Sequence, residues 1–138
     1  MLFGGGGVFG PATDTWALDY NTDTWTNLGP AVSPPGREYG YLAYDPSADK
    51  TVLFGGITYD FNSETLLQPA ETWAYDLKSN TWSLRSPSTG PSARGWEAIA
   101  YSAKADAVVM FGGGPDRQHP TSETWLYRTD PDRWSQVT

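Results

Sequence analysis

The stretch Thr72-Trp73-Ala74-Tyr75-Asp76, followed by a second tryptophan at Trp82, decides how this chain folds. Trp73 and Tyr75 lie two residues apart, which places both rings on one face of a β-strand. The residues Lys78-Ser79-Asn80 then favour a turn, and Trp82 begins the next strand. The stretch therefore predicts a β-hairpin that carries large aromatic side chains.

The same pattern recurs along the chain. Thr-Trp pairs occur at 15–16, 72–73 and 124–125, and the tryptophan of each pair is followed nine residues later by Trp25, Trp82 or Trp134. Phe-Gly-Gly precedes the pairs at 3–5, 54–56 and 111–113. Arg37 and Arg94 are 57 residues apart, the same spacing as that between the first two Thr-Trp pairs. Since these short motifs recur in one fixed order, the chain consists of internal repeats.

Each repeat predicts four short strands. Arg37 and Arg94 open the first strand, and apolar runs such as 51–54 and 107–111, ended by the Gly-Gly pair, form the second. The tryptophan hairpin supplies the other two. No segment combines a 3.6-residue apolar period with helix caps, so the sequence predicts no helix.

These features resemble the kelch repeat, which has an arginine at its opening strand, an apolar run with Gly-Gly, Thr-Trp-x-Tyr-Asp and a further tryptophan. The resemblance covers essentially the whole chain, with Leu18 in place of the tyrosine and Arg128 in place of the aspartate. It implies an all-β fold of kelch-type β-propeller blades, as in the central domain of galactose oxidase. The predicted blades span about 1–30, 37–86 and 94–138.

The predicted strands do not close a ring. About three blades with 11 strands fall short of the roughly four to eight blades of single-chain propellers. The first repeat also lacks its arginine strand. Two alternatives follow: the chain is a fragment of a longer kelch protein, or two copies form a homodimer that closes a six-bladed ring, with two strands missing.

Composition excludes several classes of protein. The 7 Trp and 8 Tyr supply core material that the few aliphatic residues do not. The absence of cysteine excludes disulfides and thiolate zinc sites. A net charge of −7 disfavours nucleic acid as a partner. The longest apolar run, 107–111, is far shorter than the ~20 residues of a membrane helix. These features leave the compartment open.

Catalysis has no positive support in the sequence. No Ser-His-Asp set, P-loop or supported carboxylate pair is present, and we predict no catalytic residue and no cofactor. Asp116, His119 and Glu123 are weak candidate metal ligands, because they lie close together and include the single histidine. An alternative is that the chain is part of a kelch-type enzyme or metal protein whose other site residues lie outside it.

Binding has several candidate residues. The resemblance places the arginine strand nearest the propeller axis, so Arg37 and Arg94 either anchor a loop or meet a ligand carboxylate at the channel mouth. Tyr39 and Trp96 follow two residues after the arginines and add aromatic surface. The first hypothesis for the arginines is structural, and the second is functional.

The loops after Gly-Gly, at 6–14, 57–71 and 114–123, differ most between repeats, and in a propeller they share one rim. Tyr59 and Asp60, with Phe61 and Asn62, form an aromatic-polar cluster suited to a sugar or a peptide. Arg117 lies in the third loop. The sequence therefore predicts a non-catalytic module that binds a protein or carbohydrate through Arg37, Tyr39, Tyr59, Asp60, Arg94, Trp96 and Arg117.

Overall fold

A computed structural model describes residues 1–7, 10–60 and 63–137, and these residues form strands, turns and loops without a helix. The strands are β1 (Leu2–Phe3), β2 (Gly6–Gly7), β3 (Gly10–Pro11), β4 (Thr15–Asp19), β5 (Thr24–Asn27), β6 (Tyr41–Asp45), β7 (Lys50–Phe54), β8 (Thr58–Asp60), β9 (Thr65–Leu67), β10 (Thr72–Asp76), β11 (Thr81–Arg85), β12 (Gly95–Ser102), β13 (Ala107–Gly114), β14 (Thr124–Arg128) and β15 (Arg133–Val137). Nothing in these ranges is a helix long and apolar enough to cross a membrane.

Eleven of the described strands form three antiparallel sheets. The first sheet has the order β1-β4-β5, the second β6-β7-β10-β11 and the third β12-β13-β14-β15. In the second and third sheets the strands follow chain order, from the strand after the arginine to the strand of the second tryptophan. The predicted all-β architecture of kelch-type sheets is confirmed.

Two of the segments predicted as loops contain short hairpins. Strand β2 pairs with β3, and β8 pairs with β9 in the register Thr58↔Leu67, Tyr59↔Leu66 and Asp60↔Thr65. A long segment must find partners for its backbone N–H and C=O groups, and local pairing supplies them. Both hairpins project from the end of the sheets at which the Gly-Gly pairs lie.

The core lies between successive sheets. One tryptophan crosses each of the two interfaces between neighbouring sheets, which are called seams below. Trp82 packs edge-on against Phe3 with ring centroids 5.1 Å apart, and its Nε1 donates to Thr15 Oγ1 at 3.0 Å. Trp134 repeats both contacts with Phe54, at 5.1 Å, and with Thr72 Oγ1, at 2.9 Å. Each ring removed from water stabilises the fold by roughly 1.5–3 kcal/mol. Trp82 and Trp134, each 2% exposed, are therefore core residues.

A tyrosine hydroxyl fixes the turn of each tryptophan hairpin in the second and third sheets. Tyr75 donates to Asn80 Oδ1, and Tyr127 donates to Asp132 Oδ1, both at 2.6 Å. Asn80 has a positive φ of 52°, a conformation that asparagine tolerates better than most residues. Local side-chain bonds thus hold the register that places each tryptophan in its seam.

The Gly-Gly pairs let each sheet approach the arginine segment of the next repeat closely. Gly55 has a φ of 64°, and a Cβ built there would lie 2.7 Å from the carbonyl oxygen of Arg94 in the next repeat. The N–H of Gly56 donates to that same oxygen at 3.0 Å. Gly5 makes the matching bond to the Arg37 carbonyl, also at 3.0 Å. These contacts fix where each arginine segment enters its sheet.

Candidate functional site

Arg37 is part of the framework. Arg37 is only 2% exposed, and its guanidinium donates to Pro35 O at 3.1 Å, Gly55 O at 3.0 Å and Glu71 Oε2 at 2.9 Å. These bonds tie the loop before the second sheet to the Gly-Gly turn and to Glu71, the residue before β10. Burial lowers the pKa of Arg37, while the hydrogen bond and charge of Glu71 raise it.

Arg94 repeats the arrangement in the third sheet. It is 1% exposed and donates to Ser92 O at 2.9 Å, Gly112 O at 3.1 Å and Glu123 Oε2 at 2.7 Å. This geometry favours the structural hypothesis for both arginines over the functional one. Both guanidinium groups donate to groups of their own repeat, which leaves fewer donors for a ligand carboxylate.

The acids that pair with these arginines have a repeated structural role. Glu71 Oε2 also accepts the Trp73 indole N–H at 2.9 Å, and Glu123 Oε2 accepts that of Trp125 at 3.0 Å. The hydrogen bond from Trp125, and then that from Arg94, lower the pKa of Glu123. Asp14 accepts from Trp16 at 2.5 Å in the first sheet. The sequence analysis missed this role, although an acid precedes each Thr-Trp pair.

The three weak metal candidates do not form one cluster. Asp116 contacts His119, with Oδ1 2.9 Å from Nδ1, whereas Glu123 faces Arg94 and Trp125. The hydrogen bond from His119 is the main cause of the lowered pKa of Asp116. Within the described ranges no three His, Asp or Glu side chains are arranged to hold a metal ion. The hydrogen bonds from Arg94 and Trp125 hold the Glu123 carboxylate away from Asp116 and His119.

An open cavity of about 550 Å³ lies where the loops of successive repeats meet. Four of the predicted binding residues line it: Tyr39, Tyr59, Trp96 and Arg117. Its remaining walls are Gly10, Pro11, Glu38, Ile57, Thr58, Leu66 and Asp116. A mostly apolar cavity with a few charged groups is the usual form of a ligand site.

Tyr39 and Trp96 form the aromatic wall of this cavity. Both have left-handed backbone conformations, with φ of 53° and 61°, and their ring centroids are 5.7 Å apart. Bulky residues rarely adopt positive φ, and such strain is concentrated at functional sites. The matching backbone conformations bring the rings from two neighbouring sheets together.

Arg117 lies over both rings. Its guanidinium carbon is 5.7 Å from the centroid of Tyr39 and 5.5 Å from that of Trp96, within the range of cation–π attraction. Across the described part of the chain, no acid lies within salt-bridge distance of Arg117. The stacked guanidinium therefore retains N–H donors that can meet an oxygen of a ligand.

The hairpin of β8 and β9 supplies the other wall. Ile57 is anchored by two backbone bonds with Glu38, at 2.8 and 2.7 Å, and Leu66 stands opposite Tyr59 in the hairpin. Asp60, also predicted as a binding residue, is not among the lining residues and accepts a bond from Ser63 at 2.7 Å. The predicted cluster also included Phe61 and Asn62, which lie outside the described residues.

Sequence reasoning did not anticipate Pro11, Ile57 and Leu66 as cavity walls. They are apolar residues in segments that the sequence presents as polar loops, and the backbone pairings of the hairpins bring them together. An apolar residue directly after Gly-Gly, as Ile57 is, was the available signal.

A second cavity of about 510 Å³ lies at the opposite ends of the strands, among the hairpin turns. Its lining is charged, but the charges largely satisfy one another. Arg85 donates to Thr129 O at 3.1 Å and lies 3.6 Å from Asp132, and Lys50 pairs with Asp76 at 3.2 Å. It offers little apolar surface, and the cavity between Tyr39 and Trp96 is the better candidate site.

The fold agrees with the comparisons with known proteins. A family model described as the KLHDC2/KLHL20/DRC7 Kelch-repeats domain matches residues 1–138. The chain belongs to this kelch-repeat family. Among curated proteins it is similar to mouse multiple epidermal growth factor-like domains protein 8, with 30% identity over 120 residues. The rat protein of the same name is 30% identical over 119 residues.

The kelch-repeat chain matches only a small part of those relatives. The alignments cover 85% of this chain and 4% of each relative. The likeness therefore concerns the kelch-type sheets, and the activities of the whole relatives are not transferred. Kelch-repeat domains generally mediate protein interactions, which gives the class of function that the family supports.

Proposed function

We propose that this chain is a non-catalytic interaction module that binds a segment of another protein in the cavity between Tyr39, Tyr59, Trp96 and Arg117. The observation that carries this proposal is the guanidinium of Arg117 stacked over two aromatic rings, with no acid paired to it in the described ranges. Tyrosine, tryptophan and arginine are the residues most enriched at the energetic centres of protein interfaces.

The cavity favours a ligand of a particular kind. Its apolar walls, which include Ile57 and Leu66, suit an aliphatic or aromatic side chain. Arg117 suits a carbonyl or carboxylate oxygen beside that side chain, because its guanidinium stacks on both rings and no acid in the described ranges is paired with it. An extended protein segment provides both features along one backbone.

The experiment that tests this proposal is a selection from a random peptide library on the immobilised chain, followed by calorimetric titration of the selected peptides. We expect the peptides to bind the wild type and to lose at least tenfold in affinity to the Arg117→Ala variant. Arg133→Ala removes an exposed arginine from β15, far from the cavity, and serves as the matched control. Equal affinity for all three proteins would overturn the proposal.

Carbohydrate recognition was predicted alongside protein binding and stays a prediction. Aromatic faces such as Tyr59 can stack on a sugar ring, so a glycan array is the second arm of the same experiment. Saturable glycan binding that Arg117→Ala leaves intact, with no peptide selected, would replace the protein segment with a sugar.

A further inference from the structure

The two internal seams share one pattern of contacts, and each seam has two halves. The receiving half is a phenylalanine paired in register with a threonine: Phe3↔Thr15 and Phe54↔Thr72. The inserting half is a tryptophan from the next sheet, which packs on that phenylalanine and donates its indole N–H to that threonine.

A third receiving half lies on the outward face of the third sheet. Phe111 is paired in register with Thr124, as in the two seams, but it is 53% exposed, whereas Phe54 is 1% exposed. A shallow cavity of about 240 Å³ lies on this face, lined by Ala98, Ile99, Ala100, Val109 and Phe111. Ala100 and Val109 stand where Ala43 and Val52 lie in the buried seam.

A third inserting half lies on the outward face of the first sheet. Trp25 stands opposite Leu18 in the register that Trp82 and Trp134 share with Tyr75 and Tyr127. Trp25 is 48% exposed, whereas Trp82 and Trp134 are each 2% exposed. The chain thus presents both halves of a seam, uncovered, at opposite sides of its sheets.

We propose that two copies of this chain associate head to tail, with Trp25 of each copy packed on Phe111 and Thr124 of the other. A second copy is the occupant because the exposed Trp25 of one copy matches the exposed Phe111–Thr124 pair of the other. These are the residue types that meet in the buried seams. Two equivalent contacts about a two-fold axis close a ring of six sheets, and cyclic dimers are the commonest symmetry of soluble assemblies. This inference does not depend on the cavity at Arg117.

The contact between copies is smaller than an internal seam. The first sheet has three described strands, so no strand equivalent to β6 or β12 lies beside Gly113 of the partner. At Gly112 a Cβ would meet only Thr121 O, at 3.4 Å, whereas Gly55 lies against the neighbouring repeat. We therefore expect an association that depends on protein concentration.

Sedimentation velocity of the 138-residue chain over a range of concentrations tests the proposal. We expect a species of twice the 15.1 kDa chain mass to grow with concentration. Trp25→Ala and Phe111→Glu should each return it to the monomer at concentrations where the wild type is dimeric, with unchanged circular dichroism. Trp25→Phe, which keeps a ring but lacks the indole N–H, should be intermediate.

Leu67→Ala is the matched control, because Leu67 is 47% exposed and lies in the β8–β9 hairpin, away from both faces. We expect it to dimerise like the wild type. A folded wild type that stays monomeric at every concentration overturns the proposal. So does a dimer that only one of the two substitutions disrupts, since that indicates pairing of like faces. A series of ever larger species also overturns it, because the ring would not close.

Discussion

The rings of Tyr39 and Trp96 lie 5.7 Å apart although the residues are 57 positions apart in the sequence. They occupy equivalent places in successive repeats, two residues after Arg37 and Arg94. Both backbones are left-handed at these positions, with φ of 53° and 61°. The buried arginines thus hold the framework, and the residues that follow them form the aromatic wall of the candidate site.

The backbone strain at Tyr39 can be separated from the role of its ring. Tyr39→Ala and Tyr39→Gly remove the same ring, but only glycine adopts the positive φ without a steric penalty. We expect the glycine variant to be more stable than the alanine variant by about 1 kcal/mol in urea unfolding. Both should lose affinity for the selected peptides to the same extent. Equal stability of the two variants would show that Tyr39 is not strained.

Arg94 should stabilise the folded state. Arg94→Ala removes the partner of the half-buried Glu123 and the buried guanidinium donor to Gly112 O, so we expect a loss of about 1–3 kcal/mol in the free energy of unfolding. Arg133→Ala, at an exposed site, should change the free energy of unfolding by no more than about 0.5 kcal/mol. An Arg94→Ala variant that melts like the wild type but no longer binds peptide would restore the ligand-binding hypothesis.

Gly55 and Gly112 form a matched pair for testing how closely the sheets approach. Both have positive φ, of 64° and 72°, but only at Gly55 would a Cβ meet the neighbouring repeat, at Arg94 O and Glu97 Oε1. Gly55→Ala should therefore cost about 1–3 kcal/mol more than Gly112→Ala in thermal or urea unfolding. If the two alanine variants unfold alike, the sheets do not meet at Gly55 as described.

Glu97 should make stability depend on pH. The side chain is 1% exposed, neither carboxyl oxygen has a hydrogen-bond partner in the described ranges, and burial raises its pKa to about 7 from an ordinary 4.5. The folded state therefore holds this proton more tightly than the unfolded chain does. Glu97 favours folding below pH 4.5, and this contribution is lost progressively as the pH rises to about 7.

Glu97→Gln measures this contribution. The variant keeps the shape of the side chain without the ionisation, so its stability relative to the wild type should rise between pH 4.5 and 7 by on the order of 3 kcal/mol and then level off. The difference between the two proteins isolates Glu97 from carboxyl groups such as Glu123, whose lowered pKa acts in the opposite direction. A difference that does not change with pH would contradict the buried, protonated state.

The sequence predicted the fold well because the marks that define it are local and repeated. Tryptophans nine residues apart specify a hairpin, and Gly-Gly after an apolar run specifies where a strand ends. Tyr39, Tyr59, Trp96 and Arg117 could be named as candidates because they follow repeated marks or lie in the variable loops. That the four line one cavity depends on contacts between sheets, which no single repeat encodes.

Other features of the site required three-dimensional information. The direction of the Arg37 and Arg94 side chains separates the framework role from the ligand role, and it is decided by acids 34 and 29 residues away in the sequence. The walls formed by Ile57 and Leu66 depend on a hairpin within a segment that lacks a clear alternating pattern. Glu123 was a weak metal candidate because it lies close to His119 in sequence, whereas its position before a Thr-Trp pair is the one that Asp14 and Glu71 occupy in the other repeats.

The indole N–H signals in a nitrogen–proton correlation spectrum test the binding site most directly. The chain has 7 Trp, and Trp96→Phe assigns the signal from the cavity. On titration with a selected peptide, we predict that the Trp96 signal shifts in proportion to saturation while those of Trp82 and Trp134, buried in the seams, stay in place. Saturable binding that moves the seam tryptophans and leaves Trp96 unchanged would contradict recognition at the Tyr39–Trp96 cavity.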